Sequence, residues 1–237
     1  NLASEGVPVK AVSAPFQKDP QVLMAHPGTG VASIADMKGR PILLSDAAVG
    51  AFWLWLKAKY GFTDDQVRKY SFNPAPFLAD KRAIQQGYVT TEPYVLEKEA
   101  GLKPEVFLLA DNGYPGYACL VLARDALIAE KPDAVRAFVE ASAAGWKSYL
   151  DGDASAADAA IRKDNPDMRQ DVLDQARAKL KSYGIVDGGD AKTKGIGVMT
   201  DARWAEFFAM ASEAGIYPKT LDYKAAYSLD FVPAAKN

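Results

Sequence analysis

The sequence predicts an α/β fold with at least partly parallel sheets, and three observations carry that expectation. Short apolar runs bounded by Gly, Pro or Asp alternate with longer stretches of helical periodicity. Of the 237 residues, 49% are hydrophobic and 24% charged, which is enough apolar material to fill a real core. No internal repeat, low-complexity tract or obvious interdomain linker interrupts the alternation.

The strand candidates are Val9–Ala14, Gln21–Ala25, Pro41–Ser45, Val106–Ala110 and Tyr117–Ala123, each brief and each bounded by a turn-forming residue. In Pro132–Leu150 the residues Val135, Phe138, Val139, Ser142, Trp146, Tyr149 and Leu150 recur at three-and-four spacing, so they share one face of a helix that Pro132 starts. Asp201–Ala214 carries Trp204, Phe207, Phe208 and Ala211 on one side and stops at Gly215. Ala51–Tyr60 is apolar nearly all round and ends at Gly61, the pattern of a helix buried on most sides. Thr63-Asp64-Asp65-Gln66 has the form of a capping box, which predicts a short helix over Asp64–Tyr70. Asp151–Asp167 and Asp187–Lys194 read as solvated connections or short surface helices.

Several function classes lose support at this stage. A formal charge of −2 supplies no net basic surface, so nucleic acid is not an expected partner. No run approaches the ~18 consecutive apolar residues of a membrane span, and the first residues lack the regions of a signal peptide. The chain as given is therefore expected not to insert into a membrane. It does not begin with Met, which leaves room for upstream sequence. The single cysteine, Cys119, lies in an apolar run and reads as a small buried hydrophobe on a strand; one cysteine builds neither a disulfide nor a thiolate metal site. The single histidine, His26, sits in His26-Pro27-Gly28-Thr29-Gly30, a turn sequence, and no Gly-x-Ser-x-Gly elbow is present to pair with it. Gly28-Thr29-Gly30 and Gly195-Ile196-Gly197 lack the third glycine of a dinucleotide fingerprint, and there is no P-loop. No catalytic residue, metal ligand or cofactor is expected.

Two segments stand out from this background. Leu43 through Gly50 joins a predicted strand to the aromatic helix and places Ser45, Asp46, Val49 and Gly50 at a strand's carboxyl end, where ligands of open α/β sheets bind and helix N–H groups favour an acceptor. The plain alternative is an ordinary loop with a Ser or Asp cap. Gln86 through Tyr94 reads as a short polar strand followed by a Pro-initiated helix, with Tyr88 and Glu92 four residues apart. Glu92 also has a structural alternative, a carboxylate stabilised by the helix dipole.

At these segments the chain resembles the nitrate/sulfonate/taurine and thiamine-pyrimidine branch of ABC-importer substrate-binding proteins, the NMT1/THI5-like or SsuA-like group. The resemblance rests on the order of Glu5-Gly6-Val7-Pro8-Val9, Asp36 through Pro41, Gly87 through Tyr94, Asp111 through Tyr117, Gly197 through Trp204 and Gly215-Ile216-Tyr217-Pro218. It implies a two-lobed α/β fold, the type II periplasmic-binding-protein fold, with ligand held in a cleft and closure by hinge bending. The lobes would comprise residues 1–17 as a partial lobe 1, 18–112 as lobe 2, and 113–237 as the return to lobe 1 with its C-terminal helices. The family's first lobe begins with two further βα units, on the order of 60 residues at ~30 each, before anything matched here.

By the same resemblance, Tyr88 and Glu92 match a Tyr and a Glu of the pyrimidine binders, an aromatic for stacking or hydrogen bonding and an acceptor for an amine. Ser45 and the loop to Gly50 match, by location, the place where nitrate- and sulfonate-type members receive an anion. Tyr114 and Tyr117 are candidate cleft aromatics, with core packing as the alternative. The implied function is extracytoplasmic capture of a small molecule, periplasmic or membrane-tethered, for a partner ABC permease and ATPase, without chemistry on the ligand. The alternatives are a ligand-sensing regulatory module and an enzyme on an unrelated α/β fold, which would need an acid–base set around a carboxylate such as Glu92.

Overall fold

A computed structural model describes residues 2–232; Asn1 and residues 233–237, at the outer ends of the two predicted lobe-1 segments, lie outside the described residues. The chain divides into two compact units. One comprises the chain up to Asp19, Pro115–Phe208 and the chain from Tyr217; the other comprises Pro20–Tyr114 and Ala209–Ile216.

The Pro20–Tyr114 unit is built on a five-stranded sheet. Its strands are β2 (Gln21–Ala25), β3 (Ile42–Leu44), β4 (Val67–Lys69), β5 (Ile84–Tyr88) and β6 (Glu105–Leu108), in the order β4-β3-β5-β2-β6. β3 runs parallel to both β4 and β5, with Ile42 opposite Val67 on one side and Ile84 on the other. β2 is antiparallel to β5 and β6. Val22, Leu23, Met24 and Ala25 are all fully buried, so β2 is covered on both faces and reads as a continuous apolar run. Helices α1 (Asp46–Val49), α2 (Phe52–Tyr60), α3 (Ala75–Ala79) and α4 (Glu92–Ala100) connect the strands. In α2, Phe52, Trp53, Trp55 and Leu56 are buried, as its all-round apolar sequence predicts, and Gly61 closes the helix in the left-handed conformation at φ 66°.

The other unit has a two-stranded antiparallel sheet, β1 (Val9–Ser13) with β7 (Val121–Arg124), surrounded by α5 (Asp125–Glu130), α6 (Pro132–Asp151), α7 (Ser155–Asp164), α8 (Gln170–Ser182) and α9 (Ala191–Lys194). Helix α10 (Asp201–Glu213) begins in this unit and ends in the other. Successive β1 residues face opposite ways, as the pleat requires. Val12 packs with Val135 and Val139 of α6 and with Phe231, whereas Ala11 packs with Met199 and Tyr227. The face predicted for α6 is buried at Val135, Val139 and Leu150, but Phe138 at its flank is 60% exposed.

Three sequence expectations are corrected. Asp64–Tyr70 is not an α-helix: Asp64–Gln66 makes one 3-10 turn and Val67–Lys69 then pairs with β3. The Gln66 half of the box does form, its Oε1 accepting from the Thr63 N–H at 3.2 Å. Its Nε2, however, donates to the carbonyls of Met37 and Arg40, at 3.0 and 2.9 Å, and the sheet edge captures the residues beyond. The strand predicted over Tyr117–Ala123 starts only at Val121, and Cys119, with φ 51° and an exposed side chain, is no buried strand residue. Asp151–Asp167 carries the short, mostly exposed helix α7, one of the two forms its sequence allows. His26, in its predicted turn, is buried against Phe77, with ring centroids 4.3 Å apart and Nε2 2.7 Å from the Phe77 carbonyl oxygen.

Candidate functional site

Parallel strands β4, β3 and β5 lie side by side, so their carboxyl ends come together along one edge of the sheet. In open α/β sheets that edge holds the ligand. Tyr70 follows β4, Ser45 follows β3, and Tyr88 ends β5 with Glu92 in the first turn of α4 beyond it.

Ser45 is the N-cap of α1. Its Oγ accepts from the Ala48 N–H at 3.3 Å, while its own N–H donates to the Gln86 Oε1 at 2.6 Å, which ties the end of β3 to β5. The four-residue α1 extends no further than Val49. Asp46 is exposed and faces Lys69 at 3.4 Å, an ion pair open to water on both sides and worth little to stability. Val49 is half-buried. Gly50 has an ordinary helical φ of −79°, and a Cβ built there meets nothing nearer than 3.9 Å, so neither backbone strain nor crowding demands glycine.

Glu92 is a partly buried carboxylate whose Oε2 accepts from the Tyr88 N–H at 2.7 Å. Burial pushes its pKa up, against that bond and one from its own backbone N–H, both of which favour the charge. Gly87 allows the approach. A Cβ there would stand 2.9 Å from both the Glu92 Cβ and the Met24 Cε, closer than carbon atoms pack. Tyr88 leaves its side chain 40% exposed.

Two residues that the sequence did not single out, Tyr70 and Phe72, join this edge, and a third, Gln85, is fully buried in the sheet behind Tyr70. The Tyr70 phenol is pushed up to about 12, first by burial and then by the Glu92 carboxylate, which places the two side chains in each other's field. The Gln85 Nε2 lies 3.5 Å from the Tyr70 hydroxyl, and the fully buried Gln85 Oε1 has no hydrogen-bond partner in the protein. Phe72 packs on Tyr70 with centroids 5.2 Å apart, is 67% exposed, and holds φ 61°, a conformation a phenylalanine rarely adopts. Tyr70 and Phe72 were hidden by the reading of β4 as helix: without a strand there, nothing put them at a strand end.

The two return aromatics lie elsewhere. Tyr114 is 7% exposed and packs on Trp55 of α2, centroids 5.2 Å apart, in the core of the Pro20–Tyr114 unit. Tyr117 belongs to the other unit. Its hydroxyl accepts from the Thr200 N–H at 3.2 Å, the Arg203 guanidinium lies 4.5 Å over its ring, and burial raises its pKa. Arg203 also donates to the carbonyls of Gln17, Pro115 and Gly116, so this cluster knits one unit's chain segments together. Of the sequence candidates, Ser45, Asp46, Val49, Gly50, Tyr88 and Glu92 share the strand-end edge. Among the described residues no group of three or more His, Cys, Asp or Glu side chains could hold a metal ion, and no helix is long and apolar enough to cross a membrane.

Known proteins resemble the chain over nearly its whole length. The riboflavin-binding protein RibY of Chloroflexus aurantiacus is 27% identical over 239 residues, covering 97% of this chain and 66% of that protein, so the chain spans a little under two thirds of this relative. Among solved structures, the periplasmic aliphatic sulphonate binding protein SsuA from Escherichia coli superposes with a TM-score of 0.64 at 13% identity, covering 100% of this chain and 73% of its own. The desulfurization enzyme DSZB does so with a TM-score of 0.54 at 13% identity, covering 94% of this chain and 78% of its own. At such identities these structures show a common fold, the two-lobed periplasmic-binding-protein fold. That likeness places the chain on this fold and not on an unrelated α/β fold, and the fold is shared by a binding protein and an enzyme. A family model described as NMT1/THI5 like matches residues 2–156, and on that match the chain belongs to the NMT1/THI5-like family.

Proposed function

We propose that this chain is the ligand-holding part of an extracytoplasmic solute-binding protein that captures a small organic molecule for an ABC permease and ATPase and leaves it chemically unchanged. The observation that carries this reading is the edge where β4, β3 and β5 end together, with Tyr70, Ser45, Tyr88 and Glu92 on it. Family membership and the riboflavin and sulphonate binding named for the two binding relatives support it.

The polar groups at this edge favour one ligand class over another. Glu92 supplies a partly desolvated carboxylate acceptor, while the Ser45 N–H and Oγ are already engaged. An amine-bearing or N–H-bearing heterocycle, pyrimidine-like or flavin-like, gains hydrogen bonds to such an acceptor. A sulfonate would bring a second negative charge toward Glu92 and lose by repulsion. The test is calorimetric titration of the full-length protein with riboflavin, an aminopyrimidine and taurine, followed by mass spectrometry of the recovered ligand. The expected result is saturable binding of a heterocycle, weaker or absent binding of taurine, and recovery of the ligand unaltered. A modified product in stoichiometric excess, or tight taurine binding with no heterocycle binding, would overturn the reading.

A further inference from the structure

In the unit that contains β1 and β7, the loop after α6, helix α7 and helix α8 line an open surface pocket of about 410 Å³. Its size lies within the range of small-molecule sites, roughly 300–1,000 Å³. It shares no residue with the strand-end site. The two helices present the same polar order to it, an aspartate followed one turn later by an arginine: Asp158 and Arg162 on α7, Asp174 and Arg177 on α8. At these spacings each pair could close as an ion pair on its own helix. Neither does.

The aspartates are engaged otherwise. Asp158, only 5% exposed, accepts from the Tyr149 hydroxyl at 3.1 Å and from the Gln170 Nε2 at 2.7 Å. Asp174 accepts from the same Gln170 Nε2 at 3.1 Å. Two carboxylates that share one amide nitrogen lie close enough to repel, and a cation between them would relieve that repulsion. Arg162 and Arg177, by contrast, form no hydrogen bond or ion pair with any described residue. Arg177 feels its surroundings only through space, lowering the pKa of Asp153 and opposing the rise at Tyr149. The pocket is thus bipolar, with a carboxylate pair that makes no ion pair and a guanidinium pair that makes none either, Asp153 acting on Arg177 only through space.

We propose that this pocket is a second binding site, specific for a small zwitterion of the amino-acid class. The ligand carboxylate is taken by Arg162 and Arg177, whose planar forks suit a carboxylate bidentately, and its ammonium by Asp158 and Asp174. A molecule with one charge alone satisfies one pole and leaves the other as it was.

The probe is 4-aminobutanoate, with butanoate and butylamine as single-charge controls, titrated into isotopically labelled protein while the amide signals of α7 and α8 and the Arg Nε–H signals are followed. The zwitterion is expected to give saturable shifts in those signals, and each control to bind about tenfold or more weakly. Arg162→Gln with Arg177→Gln is expected to weaken the zwitterion by a similar factor. Should the double variant fold poorly, Arg162→Gln alone, at an exposed position, is expected to show a smaller loss in the same direction. Glu92→Gln, at the strand-end site, is expected to leave this titration unchanged, which separates the two sites. No saturable shift, equal binding of the controls, or undiminished binding by the arginine variants would overturn the proposal.

Discussion

Replacing Glu92 by Gln tests the strand-end site through two quantities expected to move in opposite directions. The substitution keeps the shape and keeps an oxygen to accept from the Tyr88 N–H, now 2.7 Å from the carboxylate, but removes the charge. On the binding side, a ligand N–H that donated to a charged acceptor would donate to a neutral one or meet the new amide N–H. The expected loss is about 1.5–3 kcal/mol, roughly ten- to a hundredfold in affinity. On the stability side, weakening the Tyr88 bond and the helix-dipole interaction would cost about 1 kcal/mol if those were the whole account. They are not, because burial outweighs both bonds and holds the folded-state pKa above its ordinary value of 4.5. A raised pKa means that the folded state binds the proton more tightly than the unfolded state, so unfolding free energy falls as pH rises from that ordinary value through the folded one. The stabilisation by neutral Glu92 is fully present below the ordinary pKa and absent once the folded group ionises. Glu92→Gln, neutral at every pH, should therefore equal or exceed the parent in stability at pH 7, with the gap shrinking at low pH. Denaturant unfolding of both proteins at acidic and neutral pH measures the stability, and calorimetry with a confirmed ligand the affinity. A variant less stable at neutral pH with the parent's pH profile, or one that binds every ligand as tightly as the parent, would refute the reasoning and leave Glu92 as a helix-start carboxylate.

Two further substitutions probe the backbone around that carboxylate. Gly87→Ala is expected to destabilise the protein by about 1–3 kcal/mol, because the new methyl stands 2.9 Å from the Glu92 Cβ and the Met24 Cε; an unfolding midpoint equal to the parent's would mean that the strand shifts freely there. Phe72→Gly releases a left-handed φ of 61° at a side chain 67% exposed, strain of about 1–3 kcal/mol offset in part by the entropy of the glycine. Unchanged or raised stability together with weaker heterocycle binding is the expected outcome, and lowered stability with unaltered affinity would make Phe72 a packing residue.

Much of the fold was legible because local and tertiary preferences agree. β2 is apolar at every buried position, α2 is apolar all round, and α6 and α10 carry clear apolar faces, so pattern alone located them. The failures occur where a long-range partner overrules a local signal. Thr63 and Gln66 form part of a genuine capping motif, yet Val67–Lys69 is drawn out of the helix by hydrogen bonds to β3, a strand more than twenty residues earlier that no local window includes. Around Cys119, residues of strand-like composition meet a positive φ that holds them out of the sheet until Val121.

The same distinction explains which parts of the site could be read. Ser45, Tyr88 and Glu92 stand beside sequence signals of their own, a strand-to-helix junction and a Pro-initiated helix. Tyr70, Phe72 and Gln85 carry no such signal, since their place depends on β4 being a strand and on β4, β3 and β5 running parallel. Once that order is known, the three strand ends must meet. Glu92, held above its ordinary pKa by burial, is then a desolvated carboxylate at one of those ends, well matched to a ligand that brings its own N–H donors.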